Sequence, residues 1–285
     1  MAQQNLFSYE TFVRAIAGAT GSIISMSVFY PLDTVRFRMQ LEDEHSEYLK
    51  TLNTFQAVVH ILKKEGFEAL YRGVKPVLQS LGASNFVYFY TFHGLKKAGS
   101  GYHDLALGII AGIANVLTTL PLWVVNSRLK IEKPIYYSGL LDGLVHIANT
   151  EGVSALWNGV GPSLMLVINP AIQFTIYEAL KRRIPVRGAG AFFILGAIAK
   201  ACATIATYPI QLAQTKQRHG INSNVSTAAL LLSILKRSGP AGLFQGLEAK
   251  LLQTVLTAAL MFVSYEKIVR FVFSILLNNK HKLKA

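Results

Sequence analysis

Long apolar stretches alternate with short polar ones along the chain, and six of the apolar stretches are long enough to cross a membrane. A helix needs about 20 mostly apolar residues to span a bilayer. The six predicted spans cover residues 10–38, 75–97, 104–130, 162–182, 190–217 and 247–273. A polar stretch with one amphipathic segment separates the first and second span of each successive pair. The pattern therefore predicts three pairs of membrane helices, each with a short amphipathic helix between its members.

Two sequence markers recur through these three pairs and show that they are repeats. The sequences PLDTVRFR, PLWVVNSR and PIQLAQTK begin at prolines that lie 90 and 88 residues apart: Pro31, Pro121 and Pro209. The sequences EGFEALYRG, EGVSALWNG and SGPAGLFQG end at glycines that lie 86 and 87 residues apart: Gly73, Gly159 and Gly246. A fixed internal period of this kind indicates a repeat architecture. We expect the repeats to occupy residues 1–98, 99–185 and 186–285, the last with a basic tail.

Several of the predicted spans carry polar side chains at membrane depth. Such side chains are costly in lipid unless they face protein or water. They are Ser80, Ser84, Asn85, Asn169, Gln173, Lys200, Lys250, Gln253 and Thr254. The sequence therefore predicts an all-α membrane protein whose six helices surround an aqueous cavity.

Composition supports a membrane protein and narrows its chemistry. Hydrophobic residues make up 52% of the 285 residues and charged ones only 15%, whereas soluble domains carry about 25%. The net charge of +13 fits anionic lipids or anionic substrates better than nucleic acid, because the basic residues are scattered among apolar segments. Cys202 is the single cysteine, so no intrachain disulfide is expected. No metal-ligand spacing and no GxSxG, HExxH or Walker motif is present, and we expect neither a metal site nor an enzyme.

The two recurring markers make the chain resemble the mitochondrial carrier family over essentially its whole length. The resemblance implies a pseudo-threefold bundle of six helices, with the odd-numbered helices kinked at Pro31, Pro121 and Pro209. Five stretches look like a peroxisomal member of the family that exchanges adenine-containing cofactors and nucleotides: SNFVYFYTF, PLWVVN, SALWNG, NPAIQF and KLLQTVLTAALMF. The tryptophan of PLWVVN and the stretch NPAIQF are also similar to flavin, folate and NAD carriers of the family.

The resemblance implies a gate formed by the acidic and basic positions of the three proline signatures, which we call the signature gate. Its residues in this chain are Asp33, Arg36, Trp123, Asn126, Gln211 and Gln214. Only the first repeat keeps both charges. If neighbouring repeats pair, we expect Asp33 to meet Asn126 and Arg36 to meet Gln211, which gives hydrogen bonds in place of ion pairs and a weak gate.

A second, opposite gate is implied where FHGLK, YEALK and YEKIV match the family's aromatic-acid-x-x-base motif. Its residues are His93, Lys96, Glu178, Lys181 and Glu266. Glu266 with Lys96 is expected to be its one complete ion pair. The alternative is that these are ordinary interfacial charges at helix ends, although their recurrence at matching positions favours a gate.

Substrate-contacting positions are expected on the membrane side of the opposite gate. Counting back thirteen residues from its motif positions gives Ser80, Met165 (beside Leu166) and Gln253, where the family binds substrate. Lys200 and Lys250 suit phosphate groups as point charges. The alternative for Lys200 is a side chain that extends to the membrane interface, and the alternative for Lys250 is a lysine at the gate or at the interface. The whole predicted binding set is Lys200, Lys250, Gln253, Thr254, Ser80, Asn85, Met165, Leu166, Asn169 and Gln173.

From the resemblance we expect a monomeric antiporter of the peroxisomal membrane. It would exchange CoA, FAD, NAD and AMP or ADP by alternating access, with these molecules as substrates and no bound cofactor. Expected partners are the lipid bilayer and peroxisomal import factors, and not nucleic acid. Two alternatives stay open: a flavin, folate or NAD carrier of the mitochondrial inner membrane, and a carrier-like membrane scaffold that transports nothing.

Overall fold

The computed structural model describes residues 20–41, 52–98, 104–130, 139–184 and 188–282, and these residues form helices joined by short turns. No strand occurs in these ranges, which confirms the all-α class. The first repeat contains α1 (residues 20–28), α2 (Tyr30–Gln40), α3 (Thr54–Glu65), α4 (Phe67–Leu70) and α5 (Val74–Ala98). The second contains α6 (Asp104–Leu129), α7 (Leu140–Thr150), a 3₁₀ turn (Val153–Trp157), α8 (Val160–Met165), a second 3₁₀ turn (Leu166–Ile168) and α9 (Asn169–Arg183). The third contains α10 (Ala189–Arg218), α11 (Thr227–Gly242) and α12 (Leu247–Lys282).

The long helices pack against one another in chain order. Helix α5 packs against α6, α6 against α8, α9 against α10 and α10 against α12. Helix α12 in turn packs against α2, so the third repeat returns to the first and closes a ring. The short helices α3, α7 and α11 each pack on the preceding odd-numbered span, at its carboxyl end.

Three of the described helical segments are long and apolar enough to cross a membrane. They are Asp104–Leu129, Val153–Arg183 and Gly190–Arg218, in agreement with three of the six predicted spans. The first predicted span begins outside the described residues. The spans over α5 and α12 are less uniformly apolar and stay predictions.

The three signature prolines sit differently in their helices. Pro31 lies in the first turn of α2, directly after a turn at Phe29 that separates α1 from α2. Pro121 and Pro209 lie inside the continuous helices α6 and α10. A proline removes one backbone hydrogen bond from a helix, so bends at these two positions remain predictions.

Ion pairs connect two of the amphipathic helices to the ends of the helices that carry the proline signatures. Arg38 forms a bidentate ion pair with Glu65, and Arg128 does the same with Glu151. These are the acids of the EG markers and the last bases of the proline signatures. Ser238 stands where the third repeat would have its acid.

The three marker glycines hold each repeat against the next one. Gly73, Gly159 and Gly246 have φ values of 77°, 79° and 79°, which disfavour residues with a Cβ atom. A Cβ at Gly73 would lie 3.3 Å from Cγ of Lys130, and one at Gly159 would lie 3.1 Å from Cγ of Arg218. One at Gly246 would lie 3.2 Å from the carbonyl oxygen of Arg36. Contact between repeats at these points therefore requires glycine.

Candidate functional site: a cation-rich central cavity

The helices enclose a cavity of about 480 Å³, within the ~300–1,000 Å³ typical of ligand sites. Ten residues predicted from the sequence line it: Lys200, Lys250, Gln253, Thr254, Asp33, Arg36, Trp123, Asn126, Gln211 and Gln214. Apolar side chains also contribute, namely Met26, Phe37, Val77, Leu81, Ala258 and Met261. The wall is therefore partly charged and partly apolar.

Lys200 and Lys250 bring positive charge to the cavity wall. Lys200 lies on α10, nine residues before Pro209, and Lys250 lies in the first turn of α12. Neither ammonium forms a hydrogen bond or ion pair with another residue in the part of the chain that the structure describes. Lys250 is within electrostatic range of Lys200, Arg36 and Asp33. Two lysines that lack a protein acid of their own make this region attractive to an anion.

Gln253 and Thr254 are buried in the cavity wall next to these lysines. Gln253 is 5% exposed, and its Nε2 donates to the sulfur of Met26 at 3.9 Å. Among the residues that the structure describes, its Oε1 and the hydroxyl of Thr257 have no hydrogen-bond partner. The wall therefore offers acceptor groups that a ligand donor can satisfy.

Six residues of the predicted binding set do not line this cavity. Ser80 is fully buried and accepts a hydrogen bond from Asn126 at 2.6 Å, and Asn85 is exposed on α5. Asn169 donates to the hydroxyl of Thr207 at 2.7 Å. The others are Met165, which is exposed, Gln173, which is half-buried, and Leu166, which lines a separate cavity between α6 and α9.

The expectation that all ten residues share one chamber is corrected accordingly. The count of thirteen residues assumed one uninterrupted helix in the fourth span. That span instead contains the 3₁₀ turn Leu166–Ile168 between α8 and α9. A 3₁₀ turn has 3.0 residues per turn and changes the direction of the side chains that precede it relative to a continuous α-helix.

The signature gate residues lie together at one end of the cavity, but their predicted pairing is wrong. Asp33 accepts a hydrogen bond from Arg36 in its own helix at 3.0 Å and forms a buried ion pair with Lys130. It does not pair with Asn126, which instead donates to Ser80. Gln211 donates to the hydroxyl of Thr207 at 3.1 Å rather than pairing with Arg36.

The predicted residues Asn126 and Gln214 donate hydrogen bonds to Ser80 and Ser163 of the preceding repeat. Sequence reasoning missed three further residues that join the repeats here. They lie nine positions after each signature proline: Gln40, Lys130 and Arg218. An alignment of the three repeats at their prolines shows a polar donor at this position each time. The family's signature positions do not include this one, so the resemblance did not indicate it.

The opposite gate has fewer described contacts. Lys96 forms an ion pair with Asp104 at 2.9 Å, and Lys181 lies 3.7 Å from Glu178 in its own helix. His93 stacks on Phe89, with 6.4 Å between ring centroids. The side chain of Glu266 is outside the described part of the structure, so its pairing with Lys96 stays a prediction. Within the described ranges, no three His, Cys, Asp or Glu side chains are grouped as metal ligands.

A closed ring of helices from three related repeats, around a cavity that carries cations, defines a membrane carrier. The family model described as "Mitochondrial carrier protein" matches the chain three times, over residues 7–102, 97–188 and 186–275. The chain belongs to this family, which confirms the resemblance drawn from the sequence.

The relatives with similar sequences include several from the peroxisomal membrane. "Peroxisomal membrane protein PMP34" of Mus musculus is 46% identical, over 98% of this chain and 99% of that protein. "Peroxisomal adenine nucleotide carrier 1" of Glycine max is 33% identical, over 91% of each chain. "Peroxisomal nicotinamide adenine dinucleotide carrier" of Arabidopsis thaliana is 28% identical, over 92% of this chain and 96% of that protein. The predicted similarity to peroxisomal members of the family is confirmed.

Proposed function

We propose that this protein is an antiporter of the peroxisomal membrane that exchanges phosphate-bearing adenine compounds: CoA, FAD, NAD and the nucleotides AMP and ADP. The observation that carries the proposal is the pair Lys200 and Lys250 in the central cavity, neither of which forms an ion pair within the described ranges. Relatives named for adenine nucleotides and for nicotinamide adenine dinucleotide support the same class of substrate.

The cavity matches both ends of such a substrate. Phosphate groups interact with ammonium groups as point charges, which Lys200 and Lys250 supply. An adenine ring has a flat apolar face and polar edges. The indole of Trp123 and the side chains of Phe37 and Leu81 offer apolar surface, and Oε1 of Gln253 offers an acceptor for the exocyclic amine.

Transport in this proposal changes no covalent bond. Substrate binds between the two gates, and the free energy of binding offsets the disruption of one gate while the other forms. We assign no enzymatic activity and no resident cofactor. We also propose that the protein is a monomer, that it is embedded in the bilayer and that peroxisomal import factors recognise it.

Exchange in proteoliposomes tests the proposal. Purified protein is reconstituted with internal AMP, and uptake of labelled CoA, AMP and folate is measured. We expect CoA and AMP to be taken up and folate to be excluded. Uptake of folate without CoA or AMP favours the flavin and folate alternative, and no uptake of any compound by correctly inserted protein favours a scaffold.

The compartment is tested separately in cells. A fluorescently tagged full-length chain is imaged against peroxisomal and mitochondrial markers. Overlap with the peroxisomal marker is the expected result, and overlap with the mitochondrial marker alone contradicts the assignment.

A further inference from the structure

The signature gate of this protein has lost most of its usual charges, yet the repeats remain connected at this level. Two of its three basic positions are filled by the amides Asn126 and Gln214, and two of its three acidic positions by Trp123 and Gln211. The two remaining signature charges, Asp33 and Arg36, both belong to the first repeat. The signature residues therefore cannot form an ion pair between repeats with one another.

We propose that the signature gate is closed by residues one helical turn beyond the signature bases, with Lys130 as its principal gating residue. The inference rests on the proposed transport function, and assigns the regulation of the same cavity. The basic signature positions lie five residues after each proline, and the proposed donors lie nine residues after it. Residues four apart share one face of a helix and are separated by about 6 Å along its axis.

Lys130 supplies a cation to the second repeat, whose basic signature position is filled by the neutral Asn126. Its ammonium reaches from the second repeat to Asp33 of the first, and the two side chains are 8% and 6% exposed. It also lies over the rings of Tyr30 and Phe37, at 5.3 Å and 5.1 Å from their centroids. Arg36 occupies the second oxygen of the same carboxylate. Removal of Lys130 leaves Asp33 paired only with Arg36 of its own helix and removes the ion pair that joins the two repeats, so this contact should dominate the gate.

The other two positions repeat the same connection with weaker chemistry. Arg218 of the third repeat lies over the ring of Trp123 in the second, with 5.8 Å from Cζ to the centroid, and donates to the hydroxyl of Ser163 at 3.1 Å. Gln40 of the first repeat donates to the hydroxyl of Tyr208 in the third at 2.9 Å. Each donor thus reaches the preceding repeat, and the three connections close a cycle: an ion pair, a cation–π contact with a hydrogen bond, and a neutral hydrogen bond.

Accessibility of the cavity from the gate side tests the proposal without any substrate. The single native thiol is removed by Cys202→Ser, and Thr257→Cys places a probe in the cavity wall. In a separate variant, Lys63→Cys on the exposed face of α3 marks the side of the membrane that carries the gate. A membrane-impermeant maleimide is applied from that side. We expect Lys130→Met to raise the rate of labelling of Cys at position 257 about tenfold, and Lys63→Met to leave it unchanged.

A double-mutant cycle of the labelling rate tests whether Lys130 closes the gate through its ion pair with Asp33. Asp33→Asn alone should also speed labelling. The combined variant Asp33→Asn with Lys130→Met should label within about twofold of Lys130→Met alone, because the two residues form one contact. An unchanged rate for Lys130→Met, or a combined rate equal to the product of the single effects, overturns the proposal. If Lys130→Met does not accumulate as folded protein, Lys130→Gln takes its place in the cycle, with the same expected rates and the same contradicting ones.

These experiments distinguish failure of the gate proposal from failure of the proposed substrate assignment. Labelling that follows the expected cycle in a protein that exchanges no adenine compound rejects the substrate and retains the gate. If CoA and AMP are exchanged normally but substitution of Lys130 does not change the labelling rate, the gate proposal is rejected and the substrate assignment is retained.

Discussion

At the scale of single residues, the two cavity lysines carry the account of substrate binding. Lys200→Ala or Lys250→Ala removes a charge that a phosphate would contact. We expect initial exchange of AMP to fall at least about tenfold in each, the equivalent of about 1.4 kcal/mol of binding free energy. Exchange is measured in proteoliposomes of equal protein content.

The exposed Lys63 on α3 provides the matched control for these two variants. Lys63→Ala removes the same charge from a surface outside the cavity, and its exchange should equal that of the unchanged protein. Full exchange activity of Lys200→Ala, with folding verified, contradicts the role of that lysine in substrate binding.

The marker glycines give a residue-scale prediction about stability. Gly246 has a φ of 79°, and a Cβ there would lie 3.1 Å from the hydroxyl oxygen of Tyr208 and 3.2 Å from the carbonyl oxygen of Arg36. Gly246→Ala should therefore lower the free energy of unfolding by about 1–3 kcal/mol. Gly196 inside α10 is the control. Among the described residues, no atom beyond its chain neighbours and the backbone of its own helix would lie within 4 Å of a Cβ there, so Gly196→Ala should be neutral or stabilising. Thermal unfolding in detergent compares the two, and equal effects would contradict the steric explanation.

At the scale of elements, the ion pair between the end of α6 and the residue that follows α7 should make stability depend on pH. A hydrogen bond from Arg128 is the main cause that lowers the pKa of Glu151 below its ordinary value of 4.5. A carboxyl group whose pKa is lower in the folded state stabilises the fold above its unfolded pKa, and this contribution is lost as the pH falls through its folded value.

Glu151→Gln should consequently melt at a lower temperature than the unchanged protein at pH 7. The difference should shrink as the pH falls below about 4.5, where Glu151 is increasingly protonated in the unfolded chain and then in the folded chain. Glu68→Gln, at an exposed acid in α4, should show little difference at any pH. A difference for Glu151→Gln that is the same at pH 7 and at a pH of about 4 would show that the ion pair does not cause it.

The elements also show what the sequence alone allows one to predict. The helices and their repetition follow from the spacing of Pro31, Pro121 and Pro209 and from apolar runs, because both features are local in sequence. Ser80 and Met165 were misplaced because their directions depend on contacts and turns in three dimensions. Lys130 was missed because the ion pair with Asp33 joins residues 97 positions apart, and only the repeat alignment hints at it.

At the scale of the whole molecule, the three repeats are alike in architecture and unlike in chemistry. The glycine contacts recur in all three repeats, whereas the two lysines to which we assign substrate binding, Lys200 and Lys250, both lie in the third. Matching positions in the other repeats are Ser22 and Gly112 for Lys200, and Val77 and Ser163 for Lys250. We infer that a substrate binds off the pseudo-threefold axis, with its phosphate end toward α10 and α12.

The central claim is that the lysine-bearing cavity mediates obligatory exchange of adenine cofactors. The most direct measurement is efflux of labelled AMP from proteoliposomes upon addition of external CoA, with the unchanged protein and with Lys200→Ala/Lys250→Ala. The account predicts rapid efflux that requires external CoA and is lost in the double variant. Efflux that proceeds equally without external CoA, or equally in the double variant, would contradict it.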